Sequence, residues 1–257
     1  MGVYNSEKTL NQAIDSIIQQ TFKDWIFIIC DDGSIDSSLD ILTEYKNRYP
    51  NRFIILSNKH NRGLTYSLNK CLRFVKTEYV ARMDADDISL PMRFEKQVAF
   101  LNKNKQYSFV SCAIERFDES GIWKKERVLN SSPSKSCFYM SSGFVHPTTM
   151  IRSNAIFEVG GYRDLWYTRR CEDYDLWMRM YSRGFYGYII KDILFKYYEG
   201  KNSFPNRKYR YRIGEAITRA RGYAILGMYP KGIIFVFKPL IAGILTPKMV
   251  KRLHKNR

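Results

Sequence analysis

Two apolar rhythms alternate along the first half of the chain. Leu10, Ile14, Ile17 and Ile18 fall on one helical face, and a short unbroken apolar run over 25–30 follows. Ile41, Leu42 and Tyr45 mark a second helix, 53–56 another strand-like run, and Leu64, Leu68, Leu72 and Val75 a third helix. The run over 79–83 reads as a buried strand, and Pro91 opens a helix reaching about Leu101. Runs this short fit strands, and the periodic segments between them fit helices. Their alternation predicts βαβ units and a parallel sheet. Residues 107–151 are strand-rich, with turn signals at Glu119-Ser120-Gly121 and Ser131-Ser132-Pro133. A helix over 174–182 and two short strands over 186–190 and 193–198 follow. The tail reads as helical: basic over 207–221, apolar over 232–245 with a break at Lys238-Pro239, then basic again. The opening is irregular, because Met1-Gly2-Val3-Tyr4-Asn5 enters the first helix with no complete strand before it.

Composition changes this picture mainly through charge. At 257 residues the chain can bury a full core as one large domain, or as one domain plus an extension. Hydrophobic content of 45% and charged content of 26% are ordinary, whereas a net charge of +17 is not. Residues 201–257 carry 14 Lys/Arg against one acid, Glu215, so +13 sits there and +4 is left for 1–200. The expected organisation is therefore a domain over 1–200 and a basic, amphipathic helical extension over 201–257. Such an extension suits an anionic partner: phospholipid, nucleic acid or a phosphorylated substrate. The five cysteines are widely spaced with no C-x-x-C, which argues against a disulfide framework or zinc site and fits a reducing cytosol. No signal peptide or membrane span is expected.

In parallel α/β sheets ligands bind outside the carboxyl ends of the strands. Two acidic groups fall at such ends: Asp31-Asp32 after Ile28-Ile29-Cys30, and Asp84-Ala85-Asp86-Asp87 after Ala81-Arg82-Met83. Asp31-Asp32-Gly33-Ser34 also suits a plain turn and helix cap. The second cluster is harder to dismiss. Three carboxylates at a buried strand end are costly, and Mg²⁺ is commonly held by one or two carboxylates plus substrate phosphate oxygens. Alternate residues of an extended end point to opposite sides, so a metal would meet Asp86 directly while Asp84 reached the sugar or ribose. Glu172, Asp173 and Asp175 crowd the first turn of a helix, where the macrodipole alone would favour them and where a general base could also sit. His146-Pro147 precedes a strand-like 148–151, and Gly160-Gly161-Tyr162 marks a turn that lets backbone approach an acceptor.

Taken in order, these segments resemble family 2 glycosyltransferases with the GT-A nucleotide-sugar fold. The resemblance rests on Val3-Tyr4-Asn5, Cys30-Asp31-Asp32-Gly33-Ser34 with Asp36, Asn61-Arg62-Gly63 with Asn69, and Ala81-Arg82-Met83-Asp84-Ala85-Asp86-Asp87. It continues through His146-Pro147, Gly160-Gly161-Tyr162 and Glu172-Asp173-Tyr174-Asp175-Leu176-Trp177. It covers about 1–200, and the tail, with Lys201-Asn202-Ser203, looks like that of bacterial surface-polysaccharide members. The resemblance implies an α/β fold with a mostly parallel central sheet flanked by helices. It also implies an inverting, metal-dependent transfer of a hexosyl group from a nucleotide-sugar donor to a hydroxyl of a growing cell-surface glycan.

Roles carried over by that resemblance are as follows. Tyr4, Asn5 and Glu7 lie near the nucleotide, the Asp31-Asp32 pair reads the base without a choice between the two, and Arg62 and Arg82 approach the donor phosphates. Asp84 and Asp86 form a D-x-D element for Mg²⁺ or Mn²⁺, with Asp84 also on the donor. Asp173 is the general base with Glu172 beside it, and His146, Gly161 and Trp177 are acceptor-side or accessory residues. The implied partners are a nucleotide sugar, with UDP the commonest nucleotide, a lipid-linked glycan acceptor and an anionic membrane surface. The implied location is cytoplasmic, peripheral at the inner face of the cell membrane.

Two features depart from the family pattern. The histidine many members carry after the last strand is absent near Tyr197-Tyr198-Glu199-Gly200, so its contacts would pass to Lys201 or another residue. Members also begin several residues earlier, with a strand running into Val-Tyr-Asn, so the expectation is a shortened first strand, set by a start at an internal Met. Three other readings are weaker. A nucleotidyltransferase would want a glycine-rich phosphate loop, and none is found. A nucleic-acid-binding protein would draw on the charge and the 19 tyrosines, but the charge lies in a tail with apolar helices and no nucleic-acid motif appears; no nucleic-acid partner is expected. A truncated, inactive family member is the third.

Overall fold

A computed structural model of the chain describes residues 1–200 and 208–244. Its first half alternates as the apolar pattern requires: β1 (Gly2–Val3), α1 (Leu10–Ile18), β2 (Phe27–Asp31), α2 (Ser38–Arg48), β3 (Phe53–Ser57), α3 (Leu64–Leu72) and β4 (Tyr79–Ala81). The strands β1, β2 and β3 form a parallel sheet in that order, with Gly2 opposite Cys30 and Phe27 opposite Phe53. Each crossover helix presents one apolar face to the sheet; on α1 that face is Leu10, Ala13, Ile14 and Ile17.

The second half holds β5 (Ile88–Ser89), α4 (Arg93–Lys103), β6 (Tyr107–Asp118), β7 (Gly121–Lys125), β8 (Met150–Arg152), α5 (Ser153–Glu158), α6 (Glu172–Ser182) and β9 (Tyr186–Tyr198). A six-stranded sheet runs β4-β8-β6-β9-β5, with β7 paired to β6. Here only β6 and β9 pair in parallel, and the other pairs are antiparallel. The parallel ladders are therefore those of the first three strands and the long β6-β9 pair. The tight turn at Glu119-Ser120 returns the chain as a hairpin, which forces an antiparallel neighbour. The two strands expected over 186–190 and 193–198 are one strand. Its register against β6 jumps from Cys112 opposite Ile190 to Ala113 opposite Ile193, so Lys191 and Asp192 form a bulge that mimics a break in the sequence pattern.

Two apolar cores flank the sheets, one around Ile14, Ile29, Leu42 and Phe195, the other around Phe138, Trp177 and Tyr223. The tail contributes to the second. It forms α7 (Tyr209–Ile225), α8 (Gly232–Val236) and α9 (Lys238–Ile244). Tyr223 on α7 is fully buried and donates its hydroxyl to Phe138 O at 2.9 Å. At Gly214 the helix lies so close to Tyr167 that a Cβ would stand 2.6 Å from its carbonyl oxygen. So α7 packs into the same core as α6, although its other face is basic. The helix break expected at Lys238-Pro239 falls where α9 begins, a position proline tolerates because the first-turn N–H has no helical partner. Lys201, Asn202, Ser203 and the basic end from residue 245 onward lie outside the described residues.

Candidate functional site

A cleft of about 670 Å³ opens at the carboxyl ends of β1, β2 and β4, walled by Tyr4, Asn5, Glu7, Asp32, Asp84 and Asp86, with Tyr198 also on it. Its floor is built from loops that tie to each other. The amide of Asn5 donates to Ser34 Oγ at 3.0 Å, and Asn5 Oδ1 accepts from Ile35 N at 2.9 Å. Glu7 N donates to Asp36 Oδ2 at 3.0 Å, while Glu7 Oε2 accepts from Ser37 N at 3.1 Å. Asn5 takes a left-handed φ of 48°, a conformation Asn accepts more readily than most side chains. The polar groups of Asn5 and Glu7 are thus engaged in shaping the wall, whereas Tyr4 leaves an exposed ring on it.

The two acids after β2 divide their work. Asp32 is buried and accepts four hydrogen bonds. Oδ1 takes Asn58 Nδ2 at 2.7 Å, Ser67 Oγ at 3.0 Å and Arg62 N at 3.0 Å, and Oδ2 takes Gly63 N at 2.7 Å. It therefore fixes the turn that leads into α3. Asp31 accepts from Gly33 N and Ser34 N through Oδ2, and its buried Oδ1 has no hydrogen-bond partner. Only Asp32 lines the cleft. Arg62 is absent from the cleft wall; its guanidinium lies 4.5 Å from the ring centre of Tyr66 along α3.

The acidic cluster is gathered as its spacing suggests. One ligand atom from each of Asp84, Asp86 and Asp87 lies within 4.8 Å of the others. Arg82, almost wholly buried, forms an ion pair with Asp84 Oδ1, and its own carbonyl is held by Arg93 Nη2 at 2.9 Å. Arg93 is fully buried, also reaching Thr149 O and Gln97, and burial lowers its pKa to about 10. This buried pin fixes the strand end from which the acids project. Asp86 faces the cleft, where desolvation and then the Asp84 carboxylate push it up to about 6. Asp87 is buried; desolvation first, then Asp84 and Asp86, raise it well above the carboxylate range. Its Oδ1 accepts from Tyr198 N at 2.8 Å, and its Oδ2 has no partner. Crowded carboxylates with an orphaned buried oxygen form a donor set that a hard divalent cation would satisfy. The motif includes Asp87 but does not reveal its burial, which is what makes it matter.

The carboxylates of α6 approach the same region. Glu172 is raised by desolvation, and both Arg82 and Asp84 act on it electrostatically. Tyr162 feels Arg82, Asp173, Glu172 and Asp84, which places it among these groups. Its hydroxyl meets His146 Nε2 at 2.8 Å, and burial, with Arg82, holds His146 well below its ordinary value, so the imidazole is neutral. Asn69 grips Tyr162 from both sides: Nδ2 donates to its carbonyl at 2.7 Å and Oδ1 accepts its amide at 3.0 Å. Gly161, at φ 67°, lets Asn69 in; a Cβ there would stand 2.8 Å from Asn69 Oδ1. Arg179 holds the turn from behind, donating to Val159 O at 2.6 Å and Gly161 O at 2.7 Å while paired with Asp175 at 2.7 Å. Of the acids in the first turn of α6, Asp175 is thus committed to structure.

Trp177, expected as an acceptor-side or accessory residue, lies in the core. It is fully buried, stacks on Phe109 with ring centres 4.6 Å apart, and stands 6.0 Å from His146. A side chain with no exposed surface cannot touch an acceptor.

Comparison with known proteins agrees with this architecture. A model of glycosyl transferase family 2 matches residues 1–163. The putative glycosyltransferase EpsE of Bacillus subtilis is 39% identical over 257 residues, spanning 100% of this chain and 92% of that protein. The amylovoran biosynthesis glycosyltransferase AmsE of Erwinia amylovora is 31% identical over 212 residues, 81% of this chain and 78% of its own. Among solved structures, S. aureus TarS 1-349 in complex with UDP-GlcNAc superposes with a TM-score of 0.68 at 19% identity, over 89% of this chain and 69% of that one. The mannosyltransferase PcManGT from Pyrobaculum calidifontis, in complex with GDP-Man and Mn2+, gives 0.62 at 15% identity, over 99% and 77%. These two likenesses establish the fold, GT-A. The sequence matches, which span the cleft-forming loops and the acidic cluster, establish more: this chain belongs to glycosyl transferase family 2 and is a glycosyltransferase.

Proposed function

We propose that the protein transfers a hexosyl group from a nucleotide sugar to a hydroxyl of a lipid-linked cell-surface glycan, with inversion and with a divalent metal. The carrying observation is the placement of the Asp84/Asp86/Asp87 cluster on the cleft formed by Tyr4, Asn5, Glu7 and Asp32, with Glu172 within electrostatic reach of Asp84. In this reading the Tyr4 ring stacks on the base, and Asp32 sets the wall beside it, with Asp31 behind. Arg82, buried beneath the cleft and paired with Asp84, would bear on the phosphates through that carboxylate rather than by direct contact. Asp86 and Asp84 would hold Mg²⁺ or Mn²⁺, with Asp87 behind them; such an ion neutralises charge on a departing diphosphate. TarS and PcManGT were solved with UDP-GlcNAc and with GDP-Man and Mn2+ respectively, which supports a nucleotide-sugar donor for this chain.

Asp173, with Glu172 beside it, accepts the acceptor hydroxyl's proton. The hydroxyl oxygen bonds to the anomeric carbon while the bond to the diphosphate breaks on the opposite face, giving one inversion and a free nucleoside diphosphate. His146 and Gly161 act behind this site, holding Tyr162 and its turn. The catalytic domain is assigned to 1–200 and a basic extension to 201–257. No described helix is long and apolar enough to cross a membrane. On the extension Ile233, Ile234, Phe237 and Ile241 are exposed beside Lys231, an apolar and basic face that fits an anionic bilayer surface at the inner side of the membrane.

Thermal unfolding with UDP, GDP, dTDP and CMP, each with and without Mn²⁺, tests the donor class and the metal together. A nucleotide at 100 times its dissociation constant adds about 2.7 kcal/mol if it binds only the folded state. One nucleotide should shift the melt, only with metal, and Asp86→Ala should abolish the shift. A folded protein that responds to none of them contradicts the reading.

A further inference from the structure

The segment 163–170 joins the Tyr162 turn to the first turn of α6, so both of its ends stand at the acids of that helix. At one end Tyr162 feels Asp173, Glu172 and Asp84. At the other a backbone hydrogen bond from Arg170 reaches the Glu172 carboxylate, with Arg170 at a left-handed φ of 69°. A residue other than glycine held there is a strained position of the kind that gathers at functional sites.

Between these ends the backbone is braced. Thr168 N and Cys171 N close two successive turns on Leu165 O and Thr168 O, each at 3.0 Å. The Thr168 hydroxyl donates to Arg163 O at 2.7 Å and accepts from Leu165 N at 3.2 Å. Tyr167 is locked against α7, where Thr218 Oγ1 donates to its carbonyl at 3.2 Å and Gly214 leaves no room for a side chain beside it.

This braced segment presents an apolar pair to solvent: Leu165, 41% exposed, and Trp166, 60% exposed. Trp166 is the most exposed of the four tryptophans. Its ring meets that of Tyr167 at 89°, with centres 5.8 Å apart. Asp164 and Arg169, both exposed, lie on either side of the pair in the chain. A lone exposed aromatic on a loose loop would mean little. Here the aromatic is mounted on a fixed backbone that begins and ends at the acids an acceptor hydroxyl must meet. A ring with only two side-chain torsions on such a mount loses little entropy when a ligand stacks on it. A pyranose has an apolar C–H face and a polar rim, and a tryptophan flanked by charged side chains complements both.

We propose that Trp166, with Leu165 beside it, is the platform for the acceptor: the terminal pyranose of the glycan lies with its C–H face on the indole, and Asp164 and Arg169 meet hydroxyls on its rim. This deepens the transfer reading and rests on it, because the platform has a purpose only if a sugar hydroxyl is delivered to the acids of α6. Discrimination between epimers follows, since one axial hydroxyl interrupts the C–H face.

The test titrates the full chain, with Mg²⁺ and each nucleotide in turn, with the methyl β-glycosides of glucose, galactose and N-acetylglucosamine and with methyl α-mannoside, read by saturation-transfer NMR. At least one glycoside should bind, with saturation strongest on the protons of one ring face. Trp166→Ala should raise its Kd by about three- to tenfold, the worth of one aromatic stacking partner, and Trp166→Tyr should recover most of the loss. Binding of none of the four, or equal binding by the native chain and Trp166→Ala, would overturn the proposal. So would loss of cosedimentation with phosphatidylglycerol vesicles in Trp166→Ala, which would assign the indole to a bilayer. Failures are separable: a nucleotide panel that responds while no glycoside binds removes this inference alone, and a glycoside held by Trp166 with a silent panel removes the transfer reading and leaves a sugar-binding platform.

Discussion

The two ends of β1 are built on opposite terms. At its carboxyl end, almost every polar atom is spoken for: Asp32 accepts four hydrogen bonds, and Asn5 and Glu7 brace the loops after β2. At its amino end the strand edges of β2 and β4 face a largely apolar space. One end is a rigid polar frame around an acidic cluster, and the other is an apolar cleft between strand edges. Rigidity at the polar end matters because charged groups act on a transition state only when held in place before it forms. The apolar end bears on that frame only through the two residues of β1.

Catalysis gives the sharpest way to test the polar end. Asp173→Asn should lower turnover by about 10²–10⁴-fold, the usual worth of a positioned general base, with little change in nucleotide-dependent Tm shift. Glu172→Gln should cost less. If Glu172→Gln carries the larger loss in a steady-state assay, the two roles are exchanged. If neither lowers turnover, Glu172 and Asp173 serve only the macrodipole of α6.

Asp32→Asn measures how much the frame depends on one carboxylate. Asparagine keeps the shape but turns one oxygen into a donor, facing Gly63 N or the Arg62 N, Asn58 and Ser67 group. Leaving such buried donors unpaired costs about 1–3 kcal/mol. A melt that falls by several degrees, at roughly 2–4 °C per kcal/mol for a chain of this size, is the expected outcome. An unchanged Tm would mean the turn into α3 holds without it.

Gly161→Ala probes the turn that carries Tyr162 in the same way. The residue sits at φ 67° with Asn69 Oδ1 in the path of a side chain. Left-handed strain is about 1–2 kcal/mol for an L-residue, and Asn69 must also loosen its grip on Tyr162. The loss in denaturant unfolding should exceed that of Gly160→Ala, where a Cβ meets nothing within 4 Å despite a φ of 79°.

The polar end was far more legible in the sequence than the apolar one. Charges at the ends of apolar runs are expensive unless used, so Asp84-Ala85-Asp86-Asp87 points to a site from the sequence, whereas Asp31-Asp32 fits a plain turn as well. Trp177 misled because an aromatic next to acids on a helix can point either way, and only packing against Phe109 decides it. The second half of the sheet was harder because the Lys191-Asp192 bulge splits one strand's apolar pattern into two. The division of work between Asp31 and Asp32 was invisible, since the three donors to Asp32 from α3 and its preceding turn lie some thirty residues away.

The smallest effect expected is also the most specific, and it comes from pH. His146 is buried and kept neutral, by desolvation and then by Arg82, well below its ordinary value of 6.5. Its folded pKa is depressed, so an unfolded chain takes up a proton below about pH 6.5 that the folded chain refuses. Stability from this group is therefore complete above that pH and declines as pH falls, by up to about 1.4 kcal/mol per pH unit for one proton. Asp86 works in the other direction: raised to about 6, it lets the metal-free fold take up a proton that the unfolded carboxylate releases, so its contribution grows as pH falls, and the raised Asp87 and Glu172 act the same way. These carboxylates oppose His146 in the native protein as pH falls, which is why the measurement is a difference. Urea unfolding of the native chain and of His146→Gln, both without metal at pH 5 and pH 7.5, should show the variant losing less stability, or gaining more, on acidification. If both respond alike, His146 titrates no differently in the fold, and its contact with Tyr162 does not exclude the proton. Adding Mn²⁺ should then remove the opposing slope from Asp86 and leave the His146 difference unchanged.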